Sequence, residues 1–282
     1  MSDIANKIAK RKTLIIVCLF LLVLTGLRIL WISTFQSAEQ PYAVNGQLDL
    51  RNWNAAEGQV IVLDGQWEFY PQIWLMDPAH SQQADKASPP MIQVPGGWNS
   101  LLQPGKETPY GYGSYRLTIL VNPNHDLTYS IRIPSIRSSS ELYVNGRLLA
   151  KAGEPGTTKD EYVPRNVPYS ASFAANGSSE IEIVIQAANY DDPGKSGIVR
   201  SIKFGTEAAI ARQTQLSMSM QMLVAVVSLL HAAYAFILYL VGTRDRRLLY
   251  FSLMLTSATL MYLLATDEKL IPSGSRLITR RA

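Results

Sequence analysis

The sequence predicts an all-β sandwich of the jelly-roll kind, held between apolar segments that can span a membrane as helices. Three observations predict it. Short β-prone runs separated by Gly, Pro and Asn turns fill residues 34–212. No helical pattern of ten or more residues interrupts them. The apolar residues, 47% of the 282-residue chain, gather in three runs: Thr13–Ser33, Leu216–Val241 and Leu248–Ala265.

In chain order, residues 1–12 carry Lys7, Lys10, Arg11 and Lys12. The run 13–33 comes next, and at about 1.5 Å per residue it reaches about 30 Å, enough to cross a bilayer. It reads as an uncleaved signal anchor, with Arg28 snorkelling at its outer end. A cleaved signal peptide, cut near Ser37-Ala38, is the competing reading. Either reading exports the central domain, because the basic cluster stays in the cytoplasm.

Residues 34–212 are expected to form the exported domain. Its strand candidates are Val60–Leu63, Trp67–Tyr70, Ile92–Val94, Tyr115–Val121, Tyr129–Ile133, Ile181–Ala187, Val199–Phe204 and a hairpin within Glu141–Lys151. Asn145-Gly146 suits a type I′ turn, in which both central residues take positive φ. Val144 then faces Arg147, Tyr143 faces Leu148, and Leu142 faces Leu149. Apolar pairs on both faces predict a hairpin between two layers and away from a solvated edge. His80–Pro90 reads as an exposed loop and Gly153–Pro168 as a long irregular connection.

The remaining runs give helices at 213–241 and 248–266, joined by a cytoplasmic turn at 242–247 that holds Arg244, Arg246 and Arg247. The tail 267–282 then falls outside with Lys269, Arg276, Arg280 and Arg281, against the positive-inside preference. That conflict suggests a truncated membrane domain.

The formal net charge of +4 and pI near 9.1 do not indicate nucleic acid. Basic residues flank the apolar runs, and residues 34–212 sum to about −4. The single cysteine, Cys18, lies in the first run, so no disulfide framework is available. HExxH, CxxC and GxSxG are absent; acidic residues are plentiful enough for a glycosidase-type carboxylate pair, but none stands out by context, and no metal, cofactor or catalytic role is expected. Gly111-Tyr112-Gly113 and Gly153–Lys159 read as turns and not as phosphate loops. Asp191-Asp192, before Pro-Gly, suits a calcium loop or, more commonly, a solvated turn.

Trp67 and Tyr115, on strands, are expected in the core. Trp98 after Pro-Gly-Gly, with Tyr110 and Tyr112 in a loop, are candidates for stacking on a sugar ring or another flat ligand. Arg137 and Asn189 are polar candidates beside them. His231, mid-span with Tyr234, is expected to make a packing hydrogen bond within a larger bundle, a relay being the alternative.

The segments LDGQWEFYP (63–71), VPGGW (94–98), GYGSYRLTI (111–119), IPSIRSSSELYVNGRLLAKAGEPG (133–156) and IEIVIQAANY (181–190) resemble the extracellular galactose-binding-like domain of bacterial seven-transmembrane receptors with diverse intracellular signalling modules. HAAYAFILYLVGTRDRRLLYFSL (231–253) is similar to the start of that family's membrane domain. DGQWEF, VPGGW, SYR and the VNG turn also resemble the sugar-binding domain of family 2 glycoside hydrolases. The receptor resemblance implies an extracellular sensor for a small molecule or carbohydrate at the cell membrane. It further implies seven spans and a partner output module such as a kinase or cyclase, or other receptor subunits. The chain departs from that plan with two spans after the domain and no output module. The second resemblance implies an anchored carbohydrate-binding or hydrolase-accessory domain.

Overall fold

The computed structural model describes residues 12, 15, 18–30, 40–55, 58–77, 88–103, 105–123, 127–194, 196–242 and 244–265. His80, His125, the basic N-terminus, Ser37-Ala38, the tail 267–282 and most of the 80–90 loop lie outside the described residues. The chain divides into two compact units, Met1–Gln40 and Pro41–Ala282. The first contains the apolar helix α1 (Cys18–Leu30).

The second unit begins with eleven strands: β1 (Gln47–Asp49), β2 (Ile61–Val62), β3 (Gly65–Pro71), β4 (Met91–Val94), β5 (Gly111–Leu120), β6 (Thr128–Ile133), β7 (Ser139–Val144), β8 (Arg147–Ala152), β9 (Tyr169–Ala174), β10 (Glu180–Asn189) and β11 (Lys203–Thr206). They form two mostly antiparallel sheets. Sheet A has the order β4-β3-β5-β10-β7-β8, with β1 parallel to β5. Sheet B has the order β2-β11-β6-β9. The sheets share one core, which is the arrangement of a β-sandwich.

Period-two patterning accounts for that core. Ile181, Ile183, Ile185 and Ala187 of β10 point inward with Leu117 and Ile119 of β5, and meet Ile131, Ile133 and Phe204 from sheet B. Trp67 and Tyr115 are fully buried, as expected. β5 and β10 pair over ten residues, from Glu180 opposite Leu120 to Asn189 opposite Gly111. The outer face of sheet A is also partly apolar. Residues 72–77 fold over it, so that Tyr70, Leu75 and Val184 form a second small cluster. The Ser114 hydroxyl donates to Ile73 O at 2.7 Å and accepts from Leu75 N at 3.2 Å, fixing that segment.

The Asn145-Gly146 hairpin forms with φ of 48° and 76°. Asn145 Oδ1 also accepts from Glu182 N at 2.8 Å, tying the turn to β10. Two expectations about this hairpin need correction. A bulge after Leu142 moves its partner from Leu149 to Ala150. β8 is the last strand of sheet A, with Arg147 and Leu148 exposed, so the hairpin lies at an edge, although Leu149, Ala150 and Ala152 of β8 still pack toward the core. β1 and β9 fall outside the strand candidates. β1 has three residues, and β9 is Ser/Ala-rich, so neither carries a strong β signal.

Two helices come after the sandwich. α2 (Glu207–Val241) starts six residues before the expected boundary at 213. Thr206 ends β11 and also caps α2, its hydroxyl accepting from Ala209 N at 3.3 Å. The intervening turns are polar, so counting apolar residues places the start too late. α3 (Arg246–Ala265) also starts early, because the Asp245 carboxylate accepts from Arg247 N at 2.9 Å. By length and composition both helices can cross a membrane. They pack as an antiparallel pair along a seam of small and polar residues: Gln221, Ala225, Ala232 and Ala235 against Ser252 and Thr259. His231 points away from this seam and bonds Val227 O of its own helix at 2.7 Å, so it makes no packing bond within the pair.

Candidate functional site

The five sequence candidates meet at one end of the sandwich, where β5 begins, β10 ends and β7 begins. The Pro109 carbonyl is their common point. Trp98 Nε1 donates to it at 3.2 Å and Asn189 Nδ2 at 3.0 Å. Tyr110 and Tyr112 come just after Pro109, and Arg137 joins through Asp192.

Their exposure divides them into support and surface. Asn189 is fully buried. Its amide nitrogen also donates to Asp192 O and Ser196 Oγ, and its oxygen accepts from Ser138 Oγ, Asp191 N and Asp192 N. It holds the loops of this end together. Trp98 is fully buried as well, in a cluster with Phe69 and Tyr115 at centroid distances of 5.9 and 6.1 Å, those two rings being 4.9 Å apart. This corrects its expected place on a stacking surface. The Pro-Gly-Gly turn delivers the indole inward, under residues 196–198, and Trp98 N donates to Ser196 O. Gly197 makes room above it: a Cβ there would stand 2.1 Å from the Tyr115 hydroxyl oxygen, on a backbone with φ of +97°.

Three candidates remain at the surface. Tyr110 is 43% exposed. Tyr112 is half-buried, and it lies in β5 and not in a loop or turn as expected. Its ring meets Trp74 at 4.6 Å, and partial burial raises its pKa. Arg137 Nη1 donates to Asp192 Oδ2 at 2.9 Å, with about a third of both side chains exposed. Asp192 Oδ1 accepts from Gly194 N at 2.8 Å, and Asp191 pairs with Lys159 at 3.4 Å. Asp191-Asp192 is therefore a braced turn, and no cluster of three metal-ligating side chains occurs among the described residues.

Two residues outside the five site candidates also belong to this rim: Trp74, which the sequence groups with the other aromatic residues of this half of the domain, and Tyr190. Tyr190 donates to Thr157 O and packs edge-on against Tyr162 at 5.3 Å, fastening the 153–168 connection to this rim. Desolvation, then the neighbouring Tyr112 and Glu161, raise its pKa to about 12. The signal for Tyr190 was available, since period two from Gln186 places it on the outer face. Trp74 had only the short apolar segment Ile73–Met76 to suggest that it covers a sheet.

No family model and no curated protein matches the sequence. Among solved structures the chain is similar to a Ruminococcus gnavus β-glucuronidase (16% identity, TM-score 0.39), a Lactobacillus rhamnosus β-glucuronidase (15%, 0.38) and an Eisenbergiella tayi β-galacturonidase (14%, 0.36). Each similarity covers 52% of this chain and 28%, 28% and 24% of those chains respectively, so this chain spans about a quarter of their length.

Proposed function

We propose that this chain is a membrane-attached binding module for a carbohydrate-like ligand, with a sandwich of jelly-roll, galactose-binding-like topology. The carrying observation is the aromatic rim. Trp74 and Tyr112 present partly exposed rings in contact, next to exposed Tyr110, on the end of a rigid sheet. Such rings pack on the C–H face of a sugar, and the Arg137–Asp192 pair beside them supplies donors and acceptors for hydroxyls. α2 and α3 span the membrane, and the basic turn between them stays in the cytoplasm, leaving the sandwich outside. The module binds and does not catalyse.

The test is a glycan panel titrated onto the full chain in lipid nanodiscs. One glycan class should saturate. Trp74→Ala and Tyr112→Ala should each weaken it by roughly 5- to 30-fold, from about 1–2 kcal/mol of lost stacking. Absence of saturation, or unchanged affinity in both variants, counts against the proposal.

A second reading, the input half of a signalling receptor, rests on Thr206. Because that residue is both strand end and helix cap, a shift in sheet B has no loop in which to dissipate before α2. Spin-label distances between α2 and α3 that change on adding glycan would favour it.

A further inference from the structure

Ala188, near the end of β10, stands opposite Tyr112 of β5. Period two returns Tyr190 to the same outer face, diagonal to Tyr112. In that relation the two positions are about 7–8 Å apart, within reach of large side chains. Tyr112 is close enough to contribute to the raised pKa of Tyr190. On its other contact, Tyr112 meets Trp74 with ring centroids 4.6 Å apart. Three half-buried rings therefore share this end of the sheet, and Tyr112 is the neighbour of both others.

Each ring is fixed from behind. Ser114 bonds the backbone on both sides of Trp74, at Ile73 O and Leu75 N. Tyr112 lies within β5, and its carbonyl accepts from Gln72 N at 3.0 Å, where the segment carrying Trp74 begins. Tyr190 directly follows the buried Asn189. Its hydroxyl is engaged by Thr157 O, and its ring packs on Tyr162, which is 6% exposed. Rings held in place beforehand lose little freedom when a ligand settles on them. With its hydroxyl taken, what Tyr190 offers a ligand is the face of its ring.

We propose that the rim carries two stacking subsites, Trp74–Tyr112 and Tyr190, and that its ligand is a chain of at least two linked sugar rings. The inference rests on the binding reading above and names the class of ligand that site takes. Trp74 and Tyr112 touch, so together they form the surface for one ring. Tyr190, displaced from Tyr112 by the strand register, receives the next. Asp192 comes two residues after Tyr190, so the Arg137–Asp192 pair serves the hydroxyls of that second ring. A single sugar would leave one of the two surfaces uncovered.

Calorimetric titration of the full chain in lipid nanodiscs tests this with three length series, each from one unit to three: glucose with its cello-oligosaccharides, glucose with its malto-oligosaccharides, and N-acetylglucosamine with its chitin oligosaccharides. In a series that binds, the trimer should bind about tenfold more tightly than the monomer. The registers open to a trimer on one subsite account for at most about threefold, so the excess reports the second. Tyr190→Leu keeps an apolar contact for Tyr162 but removes the flat face, and should cut the ratio to about threefold or less. Tyr190→Phe keeps the face and removes the bond to Thr157, and should preserve the ratio. A ratio unchanged in Tyr190→Leu, or lost in Tyr190→Phe, would overturn the proposal, the second outcome making Tyr190 a fastener of its loop and no more. A wild-type trimer within about threefold of its monomer refutes the second subsite alone, whereas no binding in any series refutes the binding reading and this inference with it.

Discussion

Asn189→Ala separates support from binding at the rim. The amide is fully buried and serves three donors and three acceptors: Ser138, Asp191, Asp192, Pro109 and Ser196 supply them, Asp192 on both sides. Ser138 and Ser196 can turn their hydroxyls elsewhere, but the Pro109 and Asp192 carbonyls and the two amide N–H groups are fixed. Leaving about three of these partners orphaned, at about 1 kcal/mol each, costs about 3 kcal/mol. With a urea m-value of about 1–3 kcal/mol/M, the unfolding midpoint should fall by roughly 1–3 M, read by tryptophan fluorescence of the full chain in detergent. Asn189→Asp sharpens the test. Its carboxylate would face two carbonyl oxygens, so the folded form favours the protonated acid and the folded pKa rises above the unfolded value of about 3.9. The folded state then binds more protons than the unfolded state, and stability falls as pH rises above about 4. The Asp variant should therefore lie closest to wild type in acid and furthest from it at neutral pH. An Asn189→Ala chain that kept its midpoint but lost all glycan affinity would refute the reasoning, making the residue a ligand contact and not a tie between loops.

The same geometry sets four further outcomes. Gly197→Ala should destabilise by about 2–4 kcal/mol in the same urea assay, because strain at φ +97° adds to a clash with the Tyr115 hydroxyl. Asn145→Ala should cost about 1–2 kcal/mol, through a disfavoured positive φ and the loss of the bond from Glu182 N, and should leave glycan affinity unchanged. Tyr70 and Tyr190, both raised to about 12 chiefly by desolvation, should resist ionisation when unfolded tyrosines titrate near 10. The unfolded state loses those protons first, so stability should fall between pH 10 and 12, visible as delayed tyrosinate absorbance followed by cooperative unfolding. Asp64, whose pKa is raised by burial against a partly compensating bond from Ser201, should behave in the same sense above pH 3.8, and Asp64→Asn should flatten that part of the stability profile.

Legibility tracked the range of the interaction that decides each feature. The Asn145-Gly146 and Asn176-Gly177 turns were readable because positive φ is a property of the dipeptide, and both pairs adopt it. β5 and β10 were readable because their alternation is local, and Trp67 and Tyr115 came with it. The bulge after Leu142 is set by pairing with β8, and the edge position of β8 by where the sheet ends, neither of which a hairpin sequence contains. Trp98 shows the same limit at the site. Its neighbours Pro95, Gly96 and Gly97 mark a turn, but its burial depends on residues 196–198, about a hundred positions away. Trp74 stayed outside the site candidates for the same reason: the sheet that Ile73–Met76 covers, with Val184 on its outer face, is formed by residues far along the chain.

The rim and α2 are joined by one continuous stretch. Ser196 accepts from the buried Asn189 amide, and its own N–H donates to Asn99 Oδ1. Gly197 bridges to Arg137, Ile198 O accepts from Gly96 N, and Ile202 O accepts from Leu63 N. Lys203–Thr206 then form β11, and Thr206 caps α2. From Ser196 to Thr206 the chain is fixed to the sandwich at nearly every step and has no free loop. A ligand at the rim would therefore act on α2 through bonded backbone. It can shift the helix only by the difference in its affinity for two positions of that stretch. The buried Asn189 hub favours a single position, because a second one would have to satisfy all its partners again. In that arrangement tight binding at the rim is compatible with no movement of the helix at all. This is why affinity measurements alone separate a binding module from a sensor poorly, and why the distance between α2 and α3 is the quantity that distinguishes them.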